Sequence, residues 1–77
     1  MSTSTAPRVI RKSEIEVRTH AYEFEHGKRP GGRGSWAFEI GRDPQNPFWF
    51  NGVYRAAKAA AIAEAVRRGE YHVTVLT

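Results

Sequence analysis

Alternating polar and apolar positions predict a first strand from Glu14. In EIEVRT, residues 14–19, the apolar side chains take the odd positions and the charged ones the even positions, a period typical of a half-buried strand. The phase changes afterwards, since Tyr22 and Phe24 take even positions. A bulge at about His20–Ala21 explains the change, as does a strand covered on both faces. We favour the bulge, which keeps the glutamates of residues 14–25 on one outer face.

Two further strands follow a glycine-rich loop. HGKRPGGRGS, residues 26–35, is made of turn-forming residues and predicts a loop joining two strands. The strand Ser35–Ile40 then alternates, with Trp36 and Phe38 on the same side as Ile40. GRDPQNP closes it, because Asp-Pro and Asn-Pro favour turns. The aromatic segment Phe48–Phe50 predicts a short third strand.

The alanine-rich segment RAAKAAAIAEAVRRG predicts a helix from about Val53 to Arg68, ended by Gly69. At 3.6 residues per turn, a stripe of small and branched residues is expected to face the sheet and pack on Trp36, Phe38 and Phe50. The stripe contains Ala56, Ala59, Ile62, Ala63 and Val66.

The segment YHVTVL, Tyr71–Leu76, alternates again and predicts a last strand. The fold class that follows is α+β: an antiparallel sheet of three to four strands with one alanine-rich helix packed on one face, in the order β-β-β-α-β. In this arrangement the last strand is an edge strand, which is available for pairing with a second copy of the chain.

Length and composition limit the possibilities. A chain of 77 residues forms at most one domain, and we predict a disordered basic tail over residues 1–12 and a single domain over residues 13–77. The chain has no cysteine, which excludes disulfides and thiolate chemistry. No stretch reaches the length of about 20 apolar residues that a membrane span needs. A cytoplasmic protein with no membrane partner is the expectation.

The formal net charge of +4 is concentrated in a tail and a loop. Such local clusters attract polyanions, so we predict a small nucleic-acid-binding module, with DNA favoured over RNA. In the loop, the arginines offer bidentate phosphate contacts, and Trp49 could stack on an unpaired base. The predicted binding residues are Arg8, Arg11 and Lys12 of the tail, Lys28, Arg29 and Arg33 of the loop, Arg42, and Trp49.

Each of these features also has a purely structural interpretation. The KRPGGRG loop is equally well explained as a solvated connection, and the tail as an ordinary disordered terminus. Trp49 could instead be covered by the C-terminal strand or by the tail.

Enzymatic and metal-binding functions are not expected. His20, His26 and His72 have no metal-ligand spacing, and no carboxylates are set to match. The glycines of residues 31–34 open a strand, which excludes a Walker loop or a dinucleotide fingerprint. We therefore predict no catalytic residue, no metal and no cofactor.

The segment RPGGRGSWAFEI, followed by an aromatic strand and an alanine-rich helix, resembles the AP2/ERF-type DNA-binding domain, which also occurs at the N-termini of some phage-type integrases. The resemblance covers residues 22–70 and implies a three-stranded sheet that enters the major groove through arginines and tryptophans. The segment matching the arginine-rich first strand reads AYEFE here. The matching positions are Arg29-Pro30, Gly34, Trp36, Ala37, Glu39, Ile40, Trp49, Ala56-Ala57 and Ala59–Ala61.

A second function remains open: a small accessory protein of the phage or mobile-element type that binds and regulates a protein partner. It would use the acidic first strand and exposed aromatic residues. The charge on the sheet face away from the helix separates the two. Glutamates there favour a protein partner, or nucleic-acid contact confined to the loop, whereas arginines around Trp49 favour nucleic acid.

Overall fold

The computed structural model describes residues 10–76. It confirms the α+β class, with four strands and the alanine-rich helix on one face of the sheet. The order, however, is β-α-β-β-α-β. After a 3₁₀ turn at Lys12–Glu14, the elements are β1 (Glu16–Arg18), α1 (His20–His26), β2 (Arg33–Ile40), β3 (Phe48–Val53), α2 (Tyr54–Arg68) and β4 (His72–Val75).

The sheet is mixed where the sequence predicted an antiparallel one. Its strand order is β1-β4-β2-β3. β1 runs parallel to β4, while β4 and β3 both run antiparallel to β2. β4 therefore lies inside the sheet, and the prediction that Tyr71–Leu76 forms an edge is wrong. The edges are β1 and β3, because the return of the chain through α2 inserts β4 between β1 and β2.

Residues 20–26 form a helix, so the prediction of one bulged strand from Glu14 to Glu25 is wrong. Only Tyr22 of this helix is buried, whereas Phe24 is 91% exposed. Of the two aromatic residues whose alternation suggested a strand, only Tyr22 is therefore buried. The hydroxyl of Thr19 donates to Glu23 at 2.6 Å, and Gly27 ends α1 at φ 70°. This left-handed conformation is one that glycine adopts without strain.

The segment that the AP2/ERF resemblance aligns with a first strand is thus helical, and the loop before β2 joins a helix to a strand. The glutamates of residues 14–25 are distributed over the 3₁₀ turn, β1 and α1 instead of sharing one face of a strand.

α2 spans the predicted residues, but the predicted stripe is turned away from the sheet. Ala57, Ala61 and Ala65 have no exposed surface, whereas Ala56, Ala59 and Ala63 of the predicted stripe are exposed. Ile62 and Val66 are half-buried against the core. The prediction assumed that the sheet is the only partner of the helix. In the structure α2 also contacts the 3₁₀ turn. Ile62 and Val66 therefore lie at the side of the helix, and the three buried alanines face the sheet.

The core lies between α2 and the inner sheet face. Phe38 and Ile40 are fully buried there, as predicted, together with Val73 and Val75. The indole N–H of Trp36 donates to the Gly52 carbonyl at 3.1 Å.

The N-terminal segment contributes to this core. Ile10 is buried in the same hydrophobic cluster, so the packed part of the chain begins by residue 10, ahead of the predicted boundary at residue 13. The rest of the predicted tail, residues 1–9, lies outside the described residues. Between residues 10 and 76, neither helix combines the length and the apolar character needed to cross a lipid bilayer.

Candidate functional site

The glycine-rich loop and the start of α2 meet at one end of the sheet. The backbone N–H of Tyr54 donates to the Gly32 carbonyl at 2.8 Å, and Arg33 pairs with Val53 in the β2–β3 register. The loop of residues 27–32 is therefore fixed at its end to the first residue of the helix. Side chains from the two segments share one surface as a result.

An open cleft of about 340 Å³ lies on this surface. Arg29 and Pro30 contribute from the loop, Tyr54 and Lys58 from α2. Thr19 and Glu23 complete the lining, and the Thr19 hydroxyl donates a hydrogen bond to the Glu23 carboxylate. The guanidinium of Arg29 and the ammonium of Lys58 thus line one solvent-accessible cleft. The carboxylate of Glu23 lines it too and already accepts a hydrogen bond from Thr19.

Five cationic residues gather around this end, and we call them the basic end. All five are exposed, and none forms an ion pair with a described residue. Lys28 and Arg29 lie in the loop as predicted, whereas Arg33, also predicted there, is the first residue of β2. α2 adds Arg55 and Lys58, which sequence reasoning missed. The signal was present: a cation in the first helical turn and another directly after it, with no acid in that turn, is an unusual composition.

The start of α2 adds to the positive potential. Val53 is its N-cap and offers no side-chain cap, and the first turn contains no acidic residue. A helix N-terminus carries a partial positive charge and ordinarily favours acids over cations. Arg55, in the first turn, therefore lies where the helix itself disfavours a cation, and a bound anion would relieve this repulsion.

Tyr54 supplies a neutral donor at the cleft. Burial raises the pKa of its phenol, so the hydroxyl keeps its proton at neutral pH. Its ring packs edge-on against Trp36, with a centroid distance of 4.9 Å. The core thus holds this cleft residue in position.

The remaining predicted cations do not join the basic end. Arg42 follows β2 at its other end, about 25 Å away at the usual rise of a strand. Arg11 and Lys12 precede β1, whose first residue pairs with His72, and the His72 carbonyl accepts from Gly41 N–H. They therefore lie at the Arg42 end of the sheet. Arg8 lies outside the described residues.

Cations near the C-terminus of α2 are neutralised. Arg67 and Arg68 both bind Glu64, with an Arg68 Nε to Glu64 Oε2 distance of 2.6 Å. Their hydrogen bonds, that of Arg67 first, lower the pKa of Glu64 to about 2. Arg68 also donates to the Asn46 carbonyl at 3.0 Å, which ties the helix to the loop before β3. These arginines have a structural role that the basic end lacks.

Trp49 is 60% exposed on the sheet face away from α2, where it pairs with Ala37. β4 does not cover it, because β2 lies between them. The charges on this face are balanced: Glu16 and Arg18 form an ion pair at 3.1 Å, and Arg33 and Glu39 belong to β2. The outer face thus favours neither of the two functions, and base stacking on Trp49 stays a prediction.

No group of three histidine or carboxylate side chains in residues 10–76 is placed to hold a metal ion. No family model matches the chain, and no similar protein is found among curated proteins or solved structures. Functional arguments therefore depend on the surface itself.

Proposed function

We propose that this protein binds nucleic acid through the basic end. The observation that carries the proposal is the presence of five exposed cations, free of ion pairs within the described residues, at one end of the sheet, where two of them, Arg29 and Lys58, line an open cleft. A protein that neutralises phosphates with lysine and arginine gains affinity from released counterions. The other end of the sheet has a smaller group, Arg11, Lys12 and Arg42, and the remaining arginines of the described surface are paired with Glu16 or Glu64.

The cleft suits a phosphate group. Arg29 offers a planar fork for two phosphate oxygens, and Lys58 offers a point charge on the other segment. The hydroxyl group of Tyr54 is a neutral donor at the same place, whereas that of Thr19 already donates to Glu23. Glu23 is the one carboxylate in the lining, and its hydrogen bond from Thr19 directs it along α1.

The expected binding mode is contact with the backbone of the nucleic acid. Phosphate contacts position a protein on its ligand without specifying sequence, and the basic end contains no amide side chain suited to reading base edges. We therefore propose binding with little sequence preference. The preference for DNA over RNA depends on the AP2/ERF resemblance alone.

A binding titration against single- and double-stranded DNA and RNA tests the proposal. The triple variant K28S/R29S/R33S removes the two loop cations and the cation that begins β2; all three side chains are exposed, so the fold is expected to persist. We expect its affinity to fall by a similar factor for every sequence tried. The variant R42S removes one cation at the other end and serves as the control. Retained affinity in the triple variant contradicts the proposal.

One observation favours the alternative of a protein partner. Phe24 projects from α1 with 91% of its surface exposed. An aromatic side chain in such a position is a common binding hot spot once a pocket receives it. A search for proteins retained by the wild-type chain but not by the variant F24S tests this alternative. Equal retention by the two chains contradicts it.

A further inference from the structure

The two edges of the sheet differ in their protection. β1 is three residues long and carries Glu16 and Arg18. β3 is six residues long and its sequence, FWFNGV, has no charge. Short length and charged side chains are the usual means of preventing edge-to-edge pairing. The β1 edge has both, and the β3 edge has neither.

The register shows which backbone groups of β3 point outward. Tyr54 N–H donates to Gly32, and Leu76 N–H on the other side of β2 donates to Ala37. Even-numbered residues of β2 therefore direct their backbone groups towards β3, and odd-numbered residues towards β4. By the same alternation, Trp49, Asn51 and Val53 direct their N–H groups away from β2, towards the open edge.

We infer that the β3 edge pairs antiparallel with β3 of a second copy of this chain, with the two-fold axis at Asn51. In this register Asn51 faces the partner's Asn51, and the two exchange backbone hydrogen bonds in both directions. Val53 N–H meets the carbonyl of the partner's Trp49, and the symmetric bond forms as well. The result is a continuous sheet of eight strands.

The side chains of the outer face are self-complementary in this register. Trp49 and Val53, both exposed in the single chain, come to lie opposite each other across the new strand pair. The side-chain amide of Asn51 accepts from Ser35 at 2.8 Å and keeps its NH₂ group for the partner's Asn51. The pairing thus covers the two apolar residues that β3 leaves exposed on this face.

The helix above this edge permits the approach of a second copy. Arg68 binds Asn46 just before β3, so the flank of α2 that carries Arg68, Glu64 and Ala60 lies on the β3 side. The exposed Ala56 and Ala63 border this flank. A two-fold axis perpendicular to the sheet places the equivalent helix on the same face, where the facing flanks present alanines and the ion pairs of Glu64 with Arg67 and Arg68. This assembly is independent of the proposed nucleic-acid binding.

Single cysteines test the register, because the chain has none of its own. In a hydrogen-bonded pair the two Cα atoms at position 51 lie about 5.5 Å apart, within the range of a disulfide. We expect N51C to form a covalent dimer under mild oxidation. V53C on the same exposed edge is the control, because its two copies are separated by about 13 Å in this register. Equal rates for N51C and V53C overturn the proposed register.

Proline at the same position tests the edge without a new thiol. Asn51→Pro removes an N–H group that points away from β2, so the intramolecular ladder is kept. We expect a wild-type particle of twice 8.7 kDa in light scattering, and a single-chain mass for N51P at the same concentration. N51A loses the bond to Ser35 but keeps its N–H and is expected to dimerise. A wild-type chain that stays at 8.7 kDa up to high concentration overturns the inference.

Discussion

The backbone N–H of Tyr54 donates a 2.8 Å hydrogen bond to the carbonyl of Gly32, which joins the first residue of α2 to the glycine-rich loop. This bond satisfies one of the N–H groups that a helix start leaves without an intrahelical partner. It also brings the loop cations Lys28 and Arg29 to the end of the sheet where α2 begins with Arg55 and Lys58. The loop thus carries two exposed cations, Lys28 and Arg29, and its last residue is held by a hydrogen bond from α2.

The buried face of α2 is tested by enlarging one alanine on each side of the helix. Ala61 has no exposed surface, and leucine there should overpack the contact with the sheet and lower the free energy of unfolding by about 1–3 kcal/mol. Ala63 is exposed, and A63L is expected to leave stability nearly unchanged. The melting temperatures of A61L and A63L, each compared with wild type, test which face of the helix is buried. A larger loss for A63L contradicts the observed orientation of the helix.

Gly41 tests the turn after β2. Its φ is +63°, and a Cβ atom there would collide with the side chain of Glu70. The left-handed conformation costs a residue other than glycine about 1–2 kcal/mol, so G41A should destabilise the fold by at least this amount. Gly31 has open space around it, and G31A is the control. Urea denaturation that finds the two variants equally stable rules out this interpretation of the turn.

Arg55 should show opposite effects on stability and on binding. Replacing it by glutamate places a favourable charge at the start of α2, and we expect a gain of about 0.3–1 kcal/mol in the free energy of unfolding. The same change removes a cation from the basic end and adds an anion, so nucleic-acid affinity should fall. Denaturation and binding titrations on R55E and R55Q test this pair of effects. If R55E gains stability and binds as tightly as wild type, Arg55 is not part of the interface.

The ion pairs of Glu64 predict a pH dependence. Because its pKa is lowered from 4.5 to about 2 in the folded protein, the stabilisation is fully present above about pH 4.5 and is lost as the pH falls towards 2. E64Q should therefore be less stable than wild type by about 0.5–1 kcal/mol at neutral pH. This difference should shrink as the solution is acidified. A difference in melting temperature that stays constant from pH 7 to pH 2.5 contradicts the assignment.

Strong local patterns predicted much of the fold. The composition of α2 and the glycine after it defined the helix, and the alternation around Trp36 and Phe38 defined β2 and its inner face. The sequence also predicted that alanines of this helix pack against large aromatic side chains, although it selected the wrong alanines. The helix was rotated in the prediction because the contact of the 3₁₀ turn with α2 is a long-range contact that leaves no local pattern.

α1 was missed because two aromatic residues at alternate positions imitate a strand. The spacing of Thr19 and Glu23, with Gly27 after one further turn, was the available helix signal. The position of β4 inside the sheet could not be read from its sequence, since YHVTVL suits an edge or an inner strand equally. For the site, the loop cations were identified, but their meeting with Arg55 and Lys58 depends on tertiary structure. The distance of Arg42 and Lys12 from the loop cations also depends on tertiary structure.

The salt dependence of binding tests the central claim most directly. The double variant R29S/K58S removes one cation from each side of the cleft, and K12S/R42S removes the same charges from the other end of the sheet. On double-stranded DNA, R29S/K58S should reduce the slope of log affinity against log salt by about 2, close to one unit per lost contact. K12S/R42S should leave the slope as in wild type. Equal slopes for the two double variants, or no binding by wild type at low salt, would contradict the account.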